Sequence, residues 1–274
     1  MKTFALALGG GGARGLAHIA VIEALDDMGV KPAAIAGTSI GALVGAAYAA
    51  ALRGKDIRRH VIEFAHSHGE TTRRLIQARA GKLADLLAGA FGHATQIDAE
   101  KFCAQFLPAT VPADFSELQI PLTVMATDLH GRQEAPLASG PLRTALAASM
   151  AIPGLLRPVS LCGRVLIDGG ASNPLPFDRL RGRADCVVAV DVLSMPPAYR
   201  RDVPNAWECM YTTLNIMGSA IIAAKLAHAA PDLLIRPNVG VFRTLDFYHA
   251  AAIFRAADAI KAEVKERLGA LLAA

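Results

Sequence analysis

The sequence predicts an α/β fold in three layers, with helices on both faces of a mostly parallel central sheet. Short apolar runs alternate along the chain with longer segments of helical periodicity. This alternation is typical of parallel sheets, in which crossover helices join the strands. Apolar residues make up 53% of the 274 residues and charged residues 19%, a balance that excludes a disordered chain.

The N-terminal part contains two predicted strand–turn–helix units. Thr3–Leu8 is a short apolar run that ends in four glycines, which predicts a buried strand. Leu16–Met28 carries apolar residues at helical spacing and is followed by glycine, a frequent helix terminator. The second unit comprises a predicted strand at Ala33–Ala36 and a predicted helix at Ile40–Leu52.

The rest of the chain continues the alternation, and a single domain is expected over residues 1–274. Further strands are predicted at Leu122–Thr127, Arg164–Ile167, Cys186–Asp191 and Leu233–Arg236. Further helices are predicted at Pro141–Met150, Trp207–Ala229 and Leu245–Leu272.

Two apolar segments near the N-terminus lack the features of targeting or membrane-spanning sequences. Phe4–Leu8 is shorter than the roughly 7–15 residues of a signal-peptide core. Residues 32–52 carry no charge, but several glycines interrupt them. The four cysteines form no C-x-x-C pair, which favours buried thiols in a reducing compartment. We therefore expect a cytoplasmic protein with neither a disulfide framework nor a metal site.

Residues 53–119 interrupt the alternation. From Arg53 to Lys82 there are eight lysines or arginines but only three carboxylates. One interpretation is a pair of solvated helices. The other is a basic cap that docks on anionic lipid head groups at the inner face of the membrane, where each cation contributes about 1 kcal/mol. Nucleic-acid binding fits poorly, because stacking aromatics do not alternate with the basic residues.

The pentapeptide from Gly37 to Gly41 has the pattern G-x-S-x-G and lies between a predicted strand and a predicted helix. In this setting the pattern is typical of a nucleophile elbow, a sharp turn that exposes the Ser39 hydroxyl. Gly37 and Gly41 permit close backbone approach, and the positive end of the following helix stabilises developing negative charge.

A glycine-rich loop follows the first predicted strand. It comprises Gly9, Gly10, Gly11, Gly12, Ala13, Arg14 and Gly15. The spacing matches the G-x-G-x-x-G pattern of dinucleotide-binding folds, but the acidic residue expected at the end of the next strand is absent. The alternative is an oxyanion hole made of consecutive glycine N–H groups. Arg14 either adds positive charge or anchors the loop, and both roles stay open.

Ser39 needs a base, and two arrangements compete. The α/β-hydrolase order of Ser, Asp and His is matched by Asp168 followed by His228 or His249. However, Ser39 comes earlier in the chain than is typical of that fold, and both histidines lie in Ala-rich helical segments. The second arrangement is a Ser–Asp dyad. A predicted strand ends at Asp168-Gly169-Gly170, which places a carboxylate at a carboxyl edge, where open α/β sheets build their sites.

Taken together, these motifs resemble those of the patatin-like phospholipases, in particular their small bacterial members. The matching blocks are Gly10–Gly15, Gly37–Gly41, Ala148–Gly154 and Asp168–Gly170, and Asn173-Pro174 also fits. Members often carry an aromatic residue where this chain has Leu156, a small departure outside the four blocks. The motifs lie between residues 10 and 174.

The resemblance implies a patatin-like fold with a variable helical cap at about residues 53–119. It also implies a lipid acyl hydrolase that cleaves acyl esters without a cofactor or metal. Ser39 would attack the ester, Asp168 would accept the proton, and the N–H groups of Gly11 and Gly12 would bind the oxyanion. Two other functions remain open, a nucleotide-binding protein that uses the glycine loop and a catalytically silent lipid-binding relative. The oligomeric state is not determined by the sequence.

Overall fold

A mixed sheet, with eight strands in the described residues, forms the centre of the protein. The computed structural model describes residues 2–66, 97–194, 203 and 206–274, with side chains of the helix at Ala206 described from Glu208. In the described part, the strands are β1 Phe4–Leu8, β2 Ala34–Thr38, β3 Leu122–Asp128, β4 Gln133–Leu137, β5 Val159–Leu161, β6 Arg164–Asp168, β7 Cys186–Val190 and β8 Leu233–Ile235. Their order is β5-β6-β3-β2-β1-β7-β8, and β4 pairs with β3.

The predicted α/β architecture with a mostly parallel sheet is confirmed. Strands β3, β2, β1, β7 and β8, in this order across the sheet, are parallel to one another. Strands β4 and β6 are antiparallel to β3, and β5 is antiparallel to β6. Strands β4 and β5 were not predicted, because β4 contains Pro136 and β5 has three residues. Such short segments depend on pairing with a neighbouring strand rather than on their own periodicity.

The described helices begin and end close to most of the predicted bounds. They are α1 Ala17–Met28, α2 Ile40–Ala49, α3 over residues 54–66, α4 Ala99–Phe106, α5 Leu142–Ser149, α6 Ala206–His228, α7 Ala250–Ala257 and α8 Ile260–Ala273. The single helix predicted at Leu245–Leu272 is wrong, since a 3₁₀ turn and two helices occupy that region. Asp258, at the break between the helices, binds Arg58 of α3, a distant contact that periodicity does not register.

Helices cover both faces of the sheet, which gives the predicted three layers. Because side chains alternate along a strand, Leu6 and Leu8 face one core while Ala5 and Ala7 face the other. The first core is built with α1, α2, α5, α7 and α8. On the second face, Ile222 of α6 packs beside the strands.

The described parts of residues 53–119 pack against the body of the protein. Ile57 of α3 and Phe102 of α4 belong to the first core. Arg58 is bonded to Glu23 of α1 at 2.6 Å and to Asp258 at 2.6 Å. This arginine is therefore committed to an internal ion pair and was wrongly counted among the cations available to a lipid surface. Residues 67–96, including Arg73, Arg74, Arg79 and Lys82, lie outside the described residues, so the cap remains a prediction.

The four cysteines are free thiols. Cys103 and Cys186 are buried, as expected. Cys162 and Cys209 are exposed, so the expected burial is wrong for them, because Cys162 lies in the turn before β6 and Cys209 on the outer side of α6. Within the described ranges, no helix is long and apolar enough to cross a membrane.

Candidate active site

Ser39 lies at a sharp turn between β2 and α2. Its backbone has φ 54° and ψ −124°, a conformation that side-chain-bearing residues rarely adopt. The glycines on either side are required by close backbone contacts. A Cβ on Gly41 would lie 2.2 Å from the Leu8 carbonyl oxygen, and one on Gly37 would lie 2.6 Å from the Ala42 Cα. The local sequence thus has the geometry of a nucleophile elbow.

Ser39 and Asp168 are joined by a direct hydrogen bond. The Ser39 hydroxyl donates to Oδ2 of Asp168 at 2.7 Å, and the two side chains are 6% and 8% exposed. The second carboxylate oxygen, Oδ1, accepts the N–H of Gly170 at 2.7 Å. The structure therefore brings together the two residues that the sequence nominated as a dyad.

Asp168 reaches Ser39 from a direction that the sequence analysis did not anticipate. Strand β6 is antiparallel to β3, so β6 runs in the opposite direction to the parallel strands. In the register, Asp168 pairs with Ala126, one position beyond Met125, which pairs with Thr38. The sequence analysis placed Asp168 beside Ser39 because it treated β6 as a strand of the open parallel sheet. That reason was wrong, although the carboxylate does lie beside the elbow.

The buried position of Asp168 changes its acidity. Burial raises the pKa of this carboxyl from 3.8 to about 6, although the hydrogen bonds from Ser39 and Gly170 lower it in part. Tyr211 of α6 is close enough for its pKa to be raised by burial and by the charge of Asp168. At pH 7 the ionised carboxylate is therefore in about tenfold excess over its protonated form, and a pKa this close to neutrality suits a general base.

The glycine loop lies beside Ser39 and presents two N–H groups without an acceptor in the described part of the chain. A Cβ on Gly10 would be 3.6 Å from the Ser39 Cβ. The Gly10 N–H donates to the Pro174 carbonyl at 2.9 Å, so it is not available to a ligand. Among the described residues, none accepts a hydrogen bond from the N–H of Gly11 or Gly12. Their role as oxyanion donors stays a prediction.

Buried side chains anchor this loop. Arg14 donates to the Gly11 carbonyl at 3.4 Å and to the Thr244 hydroxyl at 3.3 Å, contacts that favour the anchoring role. His18 contacts the Gly9 carbonyl through Nε2 at 2.8 Å. Burial lowers the pKa of His18 to about 4, so the ring is neutral near pH 7 and Nε2–H is the donor.

Glycines also permit tight packing in the loop and after Asp168. Gly12 has φ +59°, and a Cβ there would lie 2.1 Å from the Thr244 carbonyl oxygen. A Cβ on Gly15 would lie 2.1 Å from Cγ2 of Ile40, which ties the loop to α2. A Cβ on Gly169 would lie 2.2 Å from the Met125 carbonyl oxygen, whereas Gly170 mainly supplies its N–H to Asp168.

Two further residues, Asn173 and Ser149, hold the site together and were given no role by the sequence analysis. The backbone carbonyl of Asn173 accepts a hydrogen bond from the Thr38 hydroxyl at 2.7 Å. Ser149 of α5 is fully buried, and its hydroxyl accepts the Ser39 N–H at 2.8 Å. A buried serine at the end of an Ala-rich helix was the available signal, since a buried hydroxyl needs a partner.

The alternative histidines do not contact Asp168. Its two carboxylate oxygens accept hydrogen bonds from the Ser39 hydroxyl and the Gly170 N–H. His228 is exposed at the end of α6, and the half-exposed His249 faces Asp246 at 4.0 Å. The described residues thus contain no Ser–His–Asp arrangement around Ser39.

An apolar crevice is lined by residues that directly follow both motifs. Leu16, which follows Gly15, and Ile40, which follows Ser39, line it on one side. Ile57 and Val61 of α3 line the other side. Its lining is almost entirely apolar, with His60 as the titratable group among the described lining residues.

Fold and site define an α/β protein whose serine, at a turn between a parallel strand and a helix, is bonded directly to an aspartate. The chain belongs to the patatin-like phospholipase family, whose model matches residues 6–181.

Two relatives and one solved structure illustrate the likeness. An NTE family protein of Mycobacterium tuberculosis is 39% identical over 203 residues, which cover 73% of this chain and 52% of that protein. The lysophospholipase NTE1 of Yarrowia lipolytica is 30% identical over 278 residues, covering 93% of this chain and 19% of that protein. The chain thus spans about half the length of the mycobacterial relative. The crystal structure of VipD from Legionella pneumophila shares the fold, with a TM-score of 0.51, 13% identity and coverage of 97% of this chain and 67% of that one.

Proposed function

We propose that this protein is a serine lipid acyl hydrolase of the phospholipase A, lysophospholipase or carboxylesterase type. The observation that carries the proposal is the 2.7 Å hydrogen bond from the Ser39 hydroxyl to the Asp168 carboxylate. A serine hydroxyl is a weak nucleophile unless an adjacent base takes its proton. Family membership supports a lipid ester as the substrate class.

In the first half of the reaction, Ser39 forms an acyl-enzyme. Its Oγ attacks the ester carbonyl carbon while the proton moves to Oδ2 of Asp168. The carbonyl oxygen becomes an oxyanion, which the N–H groups of Gly11 and Gly12 stabilise. Collapse of this intermediate breaks the bond to the alcohol, which leaves with the proton from Asp168.

In the second half, water releases the acid. Asp168 takes a proton from water, and the resulting hydroxide attacks the acyl carbonyl through a second oxyanion. The bond to Oγ then breaks, and Ser39 recovers its proton from Asp168. The fixed distance between Ser39 and Asp168 serves both halves, since one carboxylate acts as base and then as acid.

The apolar crevice supports a fatty acyl group as the part of the substrate that binds the enzyme. It follows α2 away from Ser39, past Leu43 to Ala47. An apolar chain in this crevice would remove its methylenes from water, with a gain of about 0.8 kcal/mol for each one buried.

Hydrolysis of a short acyl ester tests the proposal, and its pH dependence reports on the base. Because the pKa of Asp168 is raised to about 6, kcat/KM is expected to rise about tenfold per pH unit below pH 6 and to level off above it. An alkyl fluorophosphonate should label Ser39 with the same profile, which mass spectrometry of the Ser39 peptide would establish. Lack of both turnover and labelling, on monomeric esters and on vesicles, would contradict the proposal.

We also propose peripheral docking on anionic lipid through the basic segment that begins at Arg53. Among its described cations, Arg59 is exposed and paired only with the neighbouring Asp56 at 2.8 Å. Lys55 is also exposed. Both lie on the first turns of α3, the helix that lines the apolar crevice.

Replacing Lys55 and Arg59 together by glutamine is expected to weaken binding to phosphatidylglycerol vesicles by about 2 kcal/mol, or roughly 30-fold. Co-sedimentation measures this effect, and high salt should reduce wild-type binding because it screens exposed charges. Replacing Lys265 and Arg267 of α8 together by glutamine removes the same number of charges outside this segment and is the matched control. A vesicle affinity that is unchanged by salt and by the double substitution would contradict this docking mode.

A further inference from the structure

The hydroxyl of Ser149 connects two parts of the site. It accepts the N–H of Ser39 at 2.8 Å and donates to the Met125 carbonyl at 2.6 Å. This assignment of donor and acceptor is unique, because the Ser39 amide can only donate and the Met125 carbonyl can only accept. Ser149 therefore ties the elbow to the centre of β3.

The next two residues extend this connection to Asp168. The N–H of Asp168 donates to the Ala151 carbonyl at 3.0 Å. Ser149 and Ala151 thus hold the backbones of Ser39 and Asp168, which lie 129 residues apart in the chain. The end of α5 spans the two halves of the dyad.

The backbone of this segment is itself constrained. The N–H of Met150 donates to the carbonyls of Leu146 and Ala147, and that of Ile152 donates to the Met150 carbonyl at 2.7 Å. Ser149 and Ala151 are fully buried in the first core or beside it. A short, hydrogen-bonded and buried segment has little freedom to change the separation of its two contacts.

The position of Ser39 just after β2 explains why the elbow needs an external partner. Strand β2 ends at Thr38, and the Ser39 amide donates into the buried end of α5. An amide left unpaired in such a place carries a desolvation penalty. Removal of the Ser149 hydroxyl leaves both the Ser39 N–H and the Met125 carbonyl without this partner.

We propose that the segment Ser149–Ala151 sets the separation of Ser39 and Asp168, with Ser149 as a positioning residue for the reaction. It touches the Ser39 backbone and neither reacting side-chain atom, so it acts through the dyad. The inference rests on the proposed function, since a catalytic effect requires the dyad to be the reacting pair. It assigns a role to the Ala148–Gly154 block, which the sequence analysis used only as a mark of resemblance.

Kinetics of Ser149→Ala and Ser149→Thr test the proposal. Loss of the hydroxyl is expected to lower kcat by about 10–100-fold with KM within about twofold, because small displacements of reacting groups have effects of this size. The threonine variant keeps the hydroxyl and should recover most of kcat. Ala145→Gly, a buried change on the same helix without a contact to the dyad, should lower the melting temperature but leave kcat unchanged.

Crystal structures supply a second readout that does not depend on turnover. In Ser149→Ala, the distance from Ser39 Oγ to Asp168 Oδ2 is expected to exceed 3.5 Å, beyond hydrogen-bond range. If this variant does not fold, Ser149→Cys replaces it, since the thiol keeps a donor and an acceptor at this position but forms weaker hydrogen bonds. An unchanged distance, an unchanged kcat, or an equal loss of kcat in Ala145→Gly would overturn the proposal. A wild-type enzyme without Ser39-dependent turnover would instead contradict the proposed function, while the crystallographic distance would still decide the positioning role.

Discussion

Replacing Ser39 by alanine is expected to lower kcat for acyl esters by about 10⁴-fold or more, which corresponds to loss of detectable turnover. The hydroxyl is the atom that forms the covalent intermediate, and it donates directly to the Asp168 carboxylate. Labelling by an alkyl fluorophosphonate should vanish as well, since its phosphorus bonds to the same oxygen as fluoride leaves. Both are measured by ester hydrolysis and by intact-protein mass spectrometry.

The control for this variant is Ser160→Ala, an exposed serine on β5 that has no contact with the site. It should retain wild-type turnover and labelling. Ser39→Ala keeps a Cβ at φ 54°, so the strain of the elbow is unchanged and the fold should be retained. Turnover that survives in Ser39→Ala would show that another residue is the nucleophile.

Replacing Asp168 by asparagine is expected to reduce kcat by about 10²–10⁴-fold, the usual contribution of a general base. Asparagine is close in shape but cannot accept the Ser39 proton. The dependence on pH near 6 should disappear from the residual activity, because the group that titrates there is gone. A pH–rate profile of the variant measures both effects.

The same substitution is expected to stabilise the fold at high pH. The folded-state pKa of Asp168 is raised from 3.8 to about 6, so the folded protein binds this proton more tightly than the unfolded chain does. Stability of the wild type is therefore reduced above pH 6 and recovers as pH falls from 6 towards 3.8. Asp168→Asn should therefore stabilise the protein most at pH 8 and least near pH 4. At pH 8 the free energy of unfolding should rise by up to roughly 3 kcal/mol, measured as a higher melting temperature.

Asp128→Asn is the matched control for both measurements. Asp128, at the end of β3, is buried like Asp168, but its carboxylate accepts the Gly131 N–H rather than a hydrogen bond from the dyad. Its substitution should leave the pH–rate profile in place. Wild-type kcat in Asp168→Asn would contradict the role of Asp168 as the base. A change in stability that is the same at pH 8 and pH 4 would contradict its raised pKa.

Local sequence predicted most of the elements that carry the site. The strand β1, the glycine loop and α1 follow from an apolar run, consecutive glycines and a helical period. Helix α1 ends at Gly29 with φ 67°, as a glycine after the last apolar position predicts. The elbow at Ser39 was predictable for the same reason, since the two glycines that permit it lie within two residues of it.

Other features depend on contacts between distant segments. The antiparallel direction of β6 is set by its pairing with β3, and nothing in Arg164–Asp168 alone distinguishes it from a parallel strand. The break between α7 and α8 coincides with the bond from Asp258 to Arg58, 200 residues earlier in the chain. The commitment of the Gly10 N–H to the Pro174 carbonyl likewise required both loops to be placed.

The sequence by itself therefore determined the α/β class, the patatin-like motifs and the identity of Ser39 and Asp168 as candidates. The tertiary structure decided that these two side chains meet at 2.7 Å, which glycine-loop amides remain free in the described part of the chain, and that Ser149 supports the elbow. The physical reason is range. Backbone conformation and periodicity are set by neighbours within a few residues, whereas strand direction, register and buried hydrogen bonds are set by packing between segments far apart in the chain.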